Sequence, residues 1–190
     1  LASLKILLEN MQANIGRYKD RDHYLGVSLG IVDDLTHHVQ QILSLSSVQE
    51  LRDKKEEINL LEMTNLLLKD YDLLAKERKI TVENQLTDQR TYLNPSLLKL
   101  ILSNLISNAV KHSVQDGYLK IGEKNGWMFI ENACTSEEQD KFEQSFTASS
   151  RQSKGSGLGL FVVKSLLENE EIDYRFERYE DHLIFYMNLP

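Results

Sequence analysis

Asn104, Asn108 and Lys111 recur at steps of four and three along one stretch, NLISNAVK. On a helix, at about 100° per residue, placing Asn104 at 0° puts Leu97 near 20°, Asn108 near 40°, Ile101 near 60° and Lys111 near −20°. A stripe that begins as Leu97 and Ile101 therefore turns polar partway along. Leu98, Leu102, Leu105 and Ala109 form the main apolar face, at about 100–160°. Amides and an ammonium in line with core positions are costly unless something polar occupies the space beside them. An amide oxygen can ligate Mg²⁺, and a lysine can neutralise phosphate. The alternative is that these residues mark where the helix emerges into solvent.

The second chemical signal is Lys154-Gly-Ser-Gly-Leu-Gly-Leu160, running into a helical pattern. Gly155, Gly157 and Gly159 let the backbone approach a ligand closely, and free N–H groups at a helix start attract anions. The run is not a Walker A loop, which needs G-x-x-x-x-G-K-[ST]. It is not the dinucleotide fingerprint either, because position 160 is Leu. The preceding SFTASSRQSK, 145–154, is polar and short in apolar residues, and reads as a mobile lid over a nucleotide.

The elements that must position these groups can be read from periodicity. Pro95 opens the amide-bearing helix, which runs to about Ser113 with Asn94 as its cap. A short strand over 57–60, a helix over 62–77, a strand over 79–86 and a shorter one over 91–93 precede it. Strands over 118–123 and 127–131 flank the turn Lys124-Asn125-Gly126. A helix over 157–169 comes after a polar stretch, and 172–179 pairs with 183–188 across Glu180–Asp181. Strands do not alternate regularly with helices, so the fold class is α+β with one mixed sheet.

Upstream, Leu1–Met11 has helical spacing, NIGRYKDRD (14–22) reads as a turn, and Leu25 to Val48 steps by threes and fours. That narrow apolar stripe needs a partner to cover it, which points to a helical hairpin pairing with a second copy as a four-helix bundle. Residues 1–55 balance seven basic against seven acidic side chains, so the net charge of −7 lies in 56–190. Two domains are expected, 1–55 and 56–190. An acidic balance disfavours non-specific nucleic-acid binding. One cysteine among 190 residues excludes an internal disulfide framework. No apolar run reaches the roughly 18–20 residues needed to cross a bilayer. The start at Leu1, without methionine, is what is expected of a fragment.

Together the motifs resemble those of sensor histidine kinases. Asn104-Leu-Ile-Ser-Asn108-Ala-Val-Lys111-His112-Ser113 looks like their N box. Gly155-Ser156-Gly157-Leu158-Gly159-Leu160 looks like the second glycine box, and Phe142 with Phe146 resembles the F box. Leu1-Ala-Ser-Leu resembles the residues just after the H box, so the acceptor histidine would lie six residues before Leu1. The wording DLTHHVQQILSLSSV further resembles Gram-positive kinases of the vancomycin- or peptide-antibiotic-response type.

The resemblance implies a two-layer α/β sandwich of the histidine kinase, gyrase and chaperone type behind a dimerisation and phosphotransfer hairpin. It implies ATP and Mg²⁺ as cofactors, with Asn108 the metal ligand and Asn104 supporting the metal–phosphate cluster. Lys111 would contact phosphate and His112 would line the pocket. The three glycines would let the lid close over the phosphates, with Lys154 or Arg151 adding charge. The γ-phosphoryl group would pass to a histidine and then to a response-regulator aspartate. The chain would be the cytoplasmic part of a homodimeric membrane sensor, reaching the membrane only through upstream segments.

The family's first glycine box, D-x-G-x-G, is missing: after the strand stands Ile130-Glu131-Asn132-Ala133-Cys134-Thr135. Met128, Ile130 and Asn132 share one face of an alternating strand, so Asn132 is the best local substitute for the aspartate that in the family receives the adenine amino group. Cys134 reads as a small filler near that pocket. His37 and His38 point about 100° apart on a helix and are expected at its surface. Three alternatives remain: an ATPase of the same fold, which would carry Glu where Asn104 stands; a serine kinase of the anti-sigma type; and a non-enzymatic dimer scaffold with a decayed nucleotide site.

Overall fold

The computed structural model describes residues 2–28, 31–32, 54–147 and 157–190. The chain divides into two compact units, 1–43 and 44–190. In the first, α1 (Ala2–Gln12) is followed by a 3-10 turn, Gly16–Lys19. A second helix, α2, is described over 21–28 and 31–32. The reversal uses left-handed backbone at Asn14 (φ 55°) and Gly16 (φ 54°). It ends earlier than the sequence suggests, because Asp20 Oδ1 accepts from the His23 amide at 3.2 Å and caps the new helix. Most of the Leu25–Val48 stripe, with His37 and His38, lies outside the described residues.

The second unit orders its elements β1 (Glu56–Asn59), α3 (Leu60–Glu77), β2 (Thr81–Asn84), β3 (Arg90–Leu93), α4 (Pro95–His112), β4 (Tyr118–Lys124), β5 (Trp127–Ala133), α5 (Ser136–Thr147), α6 (Gly157–Asn169), β6 (Tyr174–Arg178) and β7 (His182–Met187). β1 and β3 form a separate antiparallel pair. The remaining strands form a five-stranded mixed sheet, ordered β2-β4-β5-β7-β6. The expected single sheet is thus two. β2 runs parallel to β4, with Thr81 opposite Tyr118, and β3 and α4 lie in the crossover between them. The β4–β5 turn has positive φ at both Asn125 (56°) and Gly126 (82°), as a tight hairpin with right-handed twist requires.

One face of the large sheet carries Leu119, Ile121, Met128, Ile130, Phe185 and Met187, and these join the buried residues of α3, α4 and α6 in one core. That is a two-layer sandwich. On the other face Arg175 lies over Trp127 (4.8 Å) and Tyr186 (4.7 Å), so long side chains shield it from water. The start of the unit is fastened at two points. The Lys54 carbonyl accepts from Asn94 Nδ2 at 3.3 Å, and Lys55 pairs at 2.9 Å with Glu170, whose side chain is only 3% exposed. No helix among the described residues is long and apolar enough to cross a membrane.

Candidate functional site

The helix α4 begins as the sequence demands. Asn94 Oδ1 accepts from the amides of Ser96 (2.9 Å) and Leu97 (3.1 Å), and Pro95 occupies the first turn without loss of a donor. The far end is closed by Arg78, whose guanidinium donates to the carbonyls of Lys111 and Ser113. A cation there complements the helix dipole. Tyr71 Oη donates to the Ser103 carbonyl at 3.1 Å and ties α3 alongside. Burial is broader than the single apolar face expected: Leu97, Ile101, Ile106 and Val110 are as enclosed as Leu98 and Leu102.

Within this enclosed helix Asn104 is 1% exposed. Emergence into solvent therefore does not explain it. Its Nδ2 donates to the Leu100 carbonyl at 2.8 Å. Asn108, half-buried one turn on, donates from Nδ2 to the Asn104 carbonyl at 3.0 Å. A carbonyl can only accept, so this contact settles which end of the Asn108 amide is which. Oδ1 is turned the other way, and no described residue donates to it. Asn104 thus supports Asn108 through its backbone oxygen. Lys111 is exposed. A neutral oxygen donor, with a lysine three residues further along the helix, suits a hydrated Mg²⁺ that draws its remaining ligands from phosphate and water. No group of three or more His, Cys, Asp or Glu able to hold a metal unaided occurs among the described residues.

Asn132 lies where alternation puts it, on the core-facing side of β5 with Met128 and Ile130. It is 6% exposed, and its side chain forms no hydrogen bond with any described residue. Its strand end meets the end of α4, since the Val114 amide donates to the Ala133 carbonyl at 2.9 Å. Cys134 is 3% exposed beside it. Burial pushes its thiol up, which keeps it protonated and inert and fits a filler.

The glycine-rich run divides at the limit of the described residues. Gly157, Leu158, Gly159 and Leu160 open α6, and the first amides of any helix have no partner within it. Gly159 and Leu160 are buried. Arg151, Lys154, Gly155 and Ser156 lie outside the described residues. α6 packs against both α4 and α5, and α4 packs on β5, so the elements carrying the amides, Asn132 and the helix start share one packed core.

The helix α5 escapes a reading by periodicity. The sequence reading assigns no element between Glu131 and Gly157 and places Ser145–Thr147 in a mobile lid; instead Ser136–Thr147 is helical. Only Gln139, Phe142 and Phe146 turn inward, too few for a stripe to register. A cap signal is present: Thr135 Oγ1 accepts from the Glu138 amide at 3.3 Å, and Glu137 and Glu138 fill the first turn. Phe142 and Phe146 pack on Phe176 and Phe185, while Gln139 Nε2 donates to the carbonyls of Tyr179 (2.8 Å) and His182 (3.2 Å). His112 Nδ1 lies 2.5 Å from Glu138 Oε2, joining α4 to α5.

Residues 93–189 match the family described as histidine kinase-, DNA gyrase B-, and HSP90-like ATPase. The chain is 36% identical over its whole length to the sensor histidine protein kinase HK06 of Streptococcus pneumoniae, covering 44% of that protein. It is 29% identical to the sensor protein VanSB of Enterococcus faecalis, again over its whole length and 46% of that protein. It therefore spans less than half of either relative. In structure it resembles the histidine kinase ThkA, solved in complex with the response regulator TrrA. The TM-score is 0.67 at 17% identity, over 98% of this chain and 56% of that one.

Proposed function

This chain belongs to the histidine kinase-, DNA gyrase B-, and HSP90-like ATPase family, and from that premise we propose that it is the kinase core of a sensor histidine kinase. It binds Mg-ATP in its second unit, for transfer of the γ-phosphoryl group to a histidine and then to a response-regulator aspartate. The observation that carries this reading is the Asn108 amide, anchored by its nitrogen on the carbonyl of the buried Asn104 and presenting its oxygen away from it. Mg²⁺, when bound, would neutralise the phosphate charge. Asn108 would hold it, and Lys111, with Lys154 or Arg151, would add local cations to an acidic domain. The glycines at the start of α6 would admit the phosphates, and positioning would supply most of the catalysis. A hydrolytic ATPase is disfavoured because Asn104 is no general base and is walled off from water at 1% exposure.

The first unit is proposed to dimerise through its helices. Ile6, Leu8, Ile15, Leu25, Val27 and Val32 are all exposed in the single chain, an apolar surface that a four-helix bundle would cover. A cytoplasmic setting below a membrane sensor accords with this role.

Calorimetry tests the reading directly: the chain is expected to take up Mg-ATP, and absence of any binding heat would leave only the dimer-scaffold alternative. Phosphorylation is the second test. A chain carrying the H-box histidine should form acid-labile phosphohistidine there, with none on His37 or His38. Label on either of those residues would make the second stretch of the expected hairpin the acceptor.

Asn132 provides the third. A neutral amide accepting from the adenine amino group contributes about 0.5–1.5 kcal/mol, where a carboxylate gives roughly 1.5–3. Asn132→Asp should therefore tighten ATP binding several-fold, provided the nearby Glu131 does not repel the new charge. Asn132→Ala should weaken binding and narrow the preference for ATP over GTP. Two variants that bind ATP like the parent would show that adenine is read elsewhere.

A further inference from the structure

We infer that Glu138 is a positioning residue for His112, holding its ring in one tautomer and one orientation for the nucleotide; this rests on the Mg-ATP reading above. The two residues stand 26 apart in sequence on different helices, with Nδ1 and Oε2 at 2.5 Å. Their side chains are 36% and 23% exposed, so neither dangles in solvent. His112 stands one helical turn beyond Asn108, about 40° round the same side of α4. It faces the helix that leads toward the glycine-rich run.

The second oxygen of Glu138 takes the Lys141 ammonium at 2.6 Å, and Lys141 also reaches Glu137 at 2.9 Å. The Lys141 hydrogen bond, then that of His112, holds the Glu138 carboxyl below its usual range. It is therefore ionised at neutral pH and can only accept. The shared proton must sit on His112 Nδ1, and Nε2 is left as the nitrogen that can meet a ligand. Lys141, shared between Glu138 and Glu137, offsets part of the carboxylate charge beside the ring. The same logic orients metal-ligating histidines through a carboxylate on the opposite ring nitrogen.

The test compares Mg-ATP affinity of the parent with His112→Ala, Glu138→Ala, Glu138→Gln and the double alanine variant. Glu138→Ala is expected to weaken binding roughly three- to tenfold, as coupled contacts of this kind do. The double variant should be no weaker than His112→Ala alone. Glu138→Gln, whose amide oxygen can still accept from Nδ1, should recover most of the affinity. Ring-nitrogen NMR without nucleotide should show Nδ1–H in the parent and a mixture of tautomers in Glu138→Ala. A parent that binds no Mg-ATP overturns the nucleotide reading itself, and this role with it. A parent that binds normally while Glu138→Ala binds equally well, or a double variant in which the two losses add in full, overturns the positioning role alone. Unchanged ring signals in Glu138→Ala do the same.

Discussion

Asn108→Ala should lower the affinity for Mg-ATP by roughly 100-fold or more, at or beyond the top of the range seen when only an outer-shell partner of a metal site is lost. The side chain is held at one end, Nδ2 on the Asn104 carbonyl at 3.0 Å, and no described residue donates to the other. Alanine removes the oxygen and leaves the Asn104 carbonyl on a half-buried stretch of helix. It does not damage the helix, because alanine is the better helix former by a few tenths of a kcal/mol. Thermal unfolding without nucleotide should therefore stay within about 0.5 kcal/mol of the parent, which separates loss of the site from loss of the fold. Asn108→Asp keeps an oxygen but loses the donor that aims it, so its affinity should lie between the two. Calorimetric titration reads all three, and an alanine variant that binds like the parent would remove Asn108 from the site.

Phe146→Ala should destabilise the second unit by about 3–5 kcal/mol, the usual cost of emptying a buried aromatic position. Phe146 is 2% exposed. Its ring lies 5.3 Å from Tyr174, 5.4 Å from Phe185, 5.6 Å from Phe142 and 5.9 Å from Phe176. These neighbours belong to β6, β7 and α5 itself, so the cavity opens where the helix meets the sheet. Against a total stability of about 5–15 kcal/mol, that loss is large. Denaturant midpoints should fall accordingly, and α5 amides should exchange faster than those of α4. Glu138 lies on the same helix, so nucleotide affinity should fall as well. A midpoint equal to the parent's would show that α5 is held by its polar ties alone, Gln139 to the Tyr179 and His182 carbonyls and Arg178 to Asp140 and Glu143.

Much of the geometry of the candidate site was legible because the signals that place its residues are local. Asn94, Pro95 and the three-and-four spacing of leucines determine α4, and the same spacing puts Asn108 one turn beyond Asn104. Alternation over Trp127–Asn132 determines that Asn132 faces the core, and Asn125-Gly126 determines the turn before it. Each relation spans a few residues, within which helix and strand geometry leave little freedom.

What the tertiary structure alone decided involves partners far apart in the chain. Asn104 could have been a boundary residue or a core one. Only the packing of neighbouring elements around α4 made it 1% exposed and turned its backbone carbonyl into the anchor for Asn108. The helix α5 carries too few apolar residues to announce itself; the aromatic surface of β6 and β7, some thirty residues downstream, supplies the burial that stabilises it. Arg78 on the α4 carbonyls, Lys55 on Glu170 and His112 on Glu138 are likewise products of strand order. Charge and hydrogen-bonding capacity are written in the residues, but which groups stand within 3 Å of one another depends on how the sheet brings distant segments together.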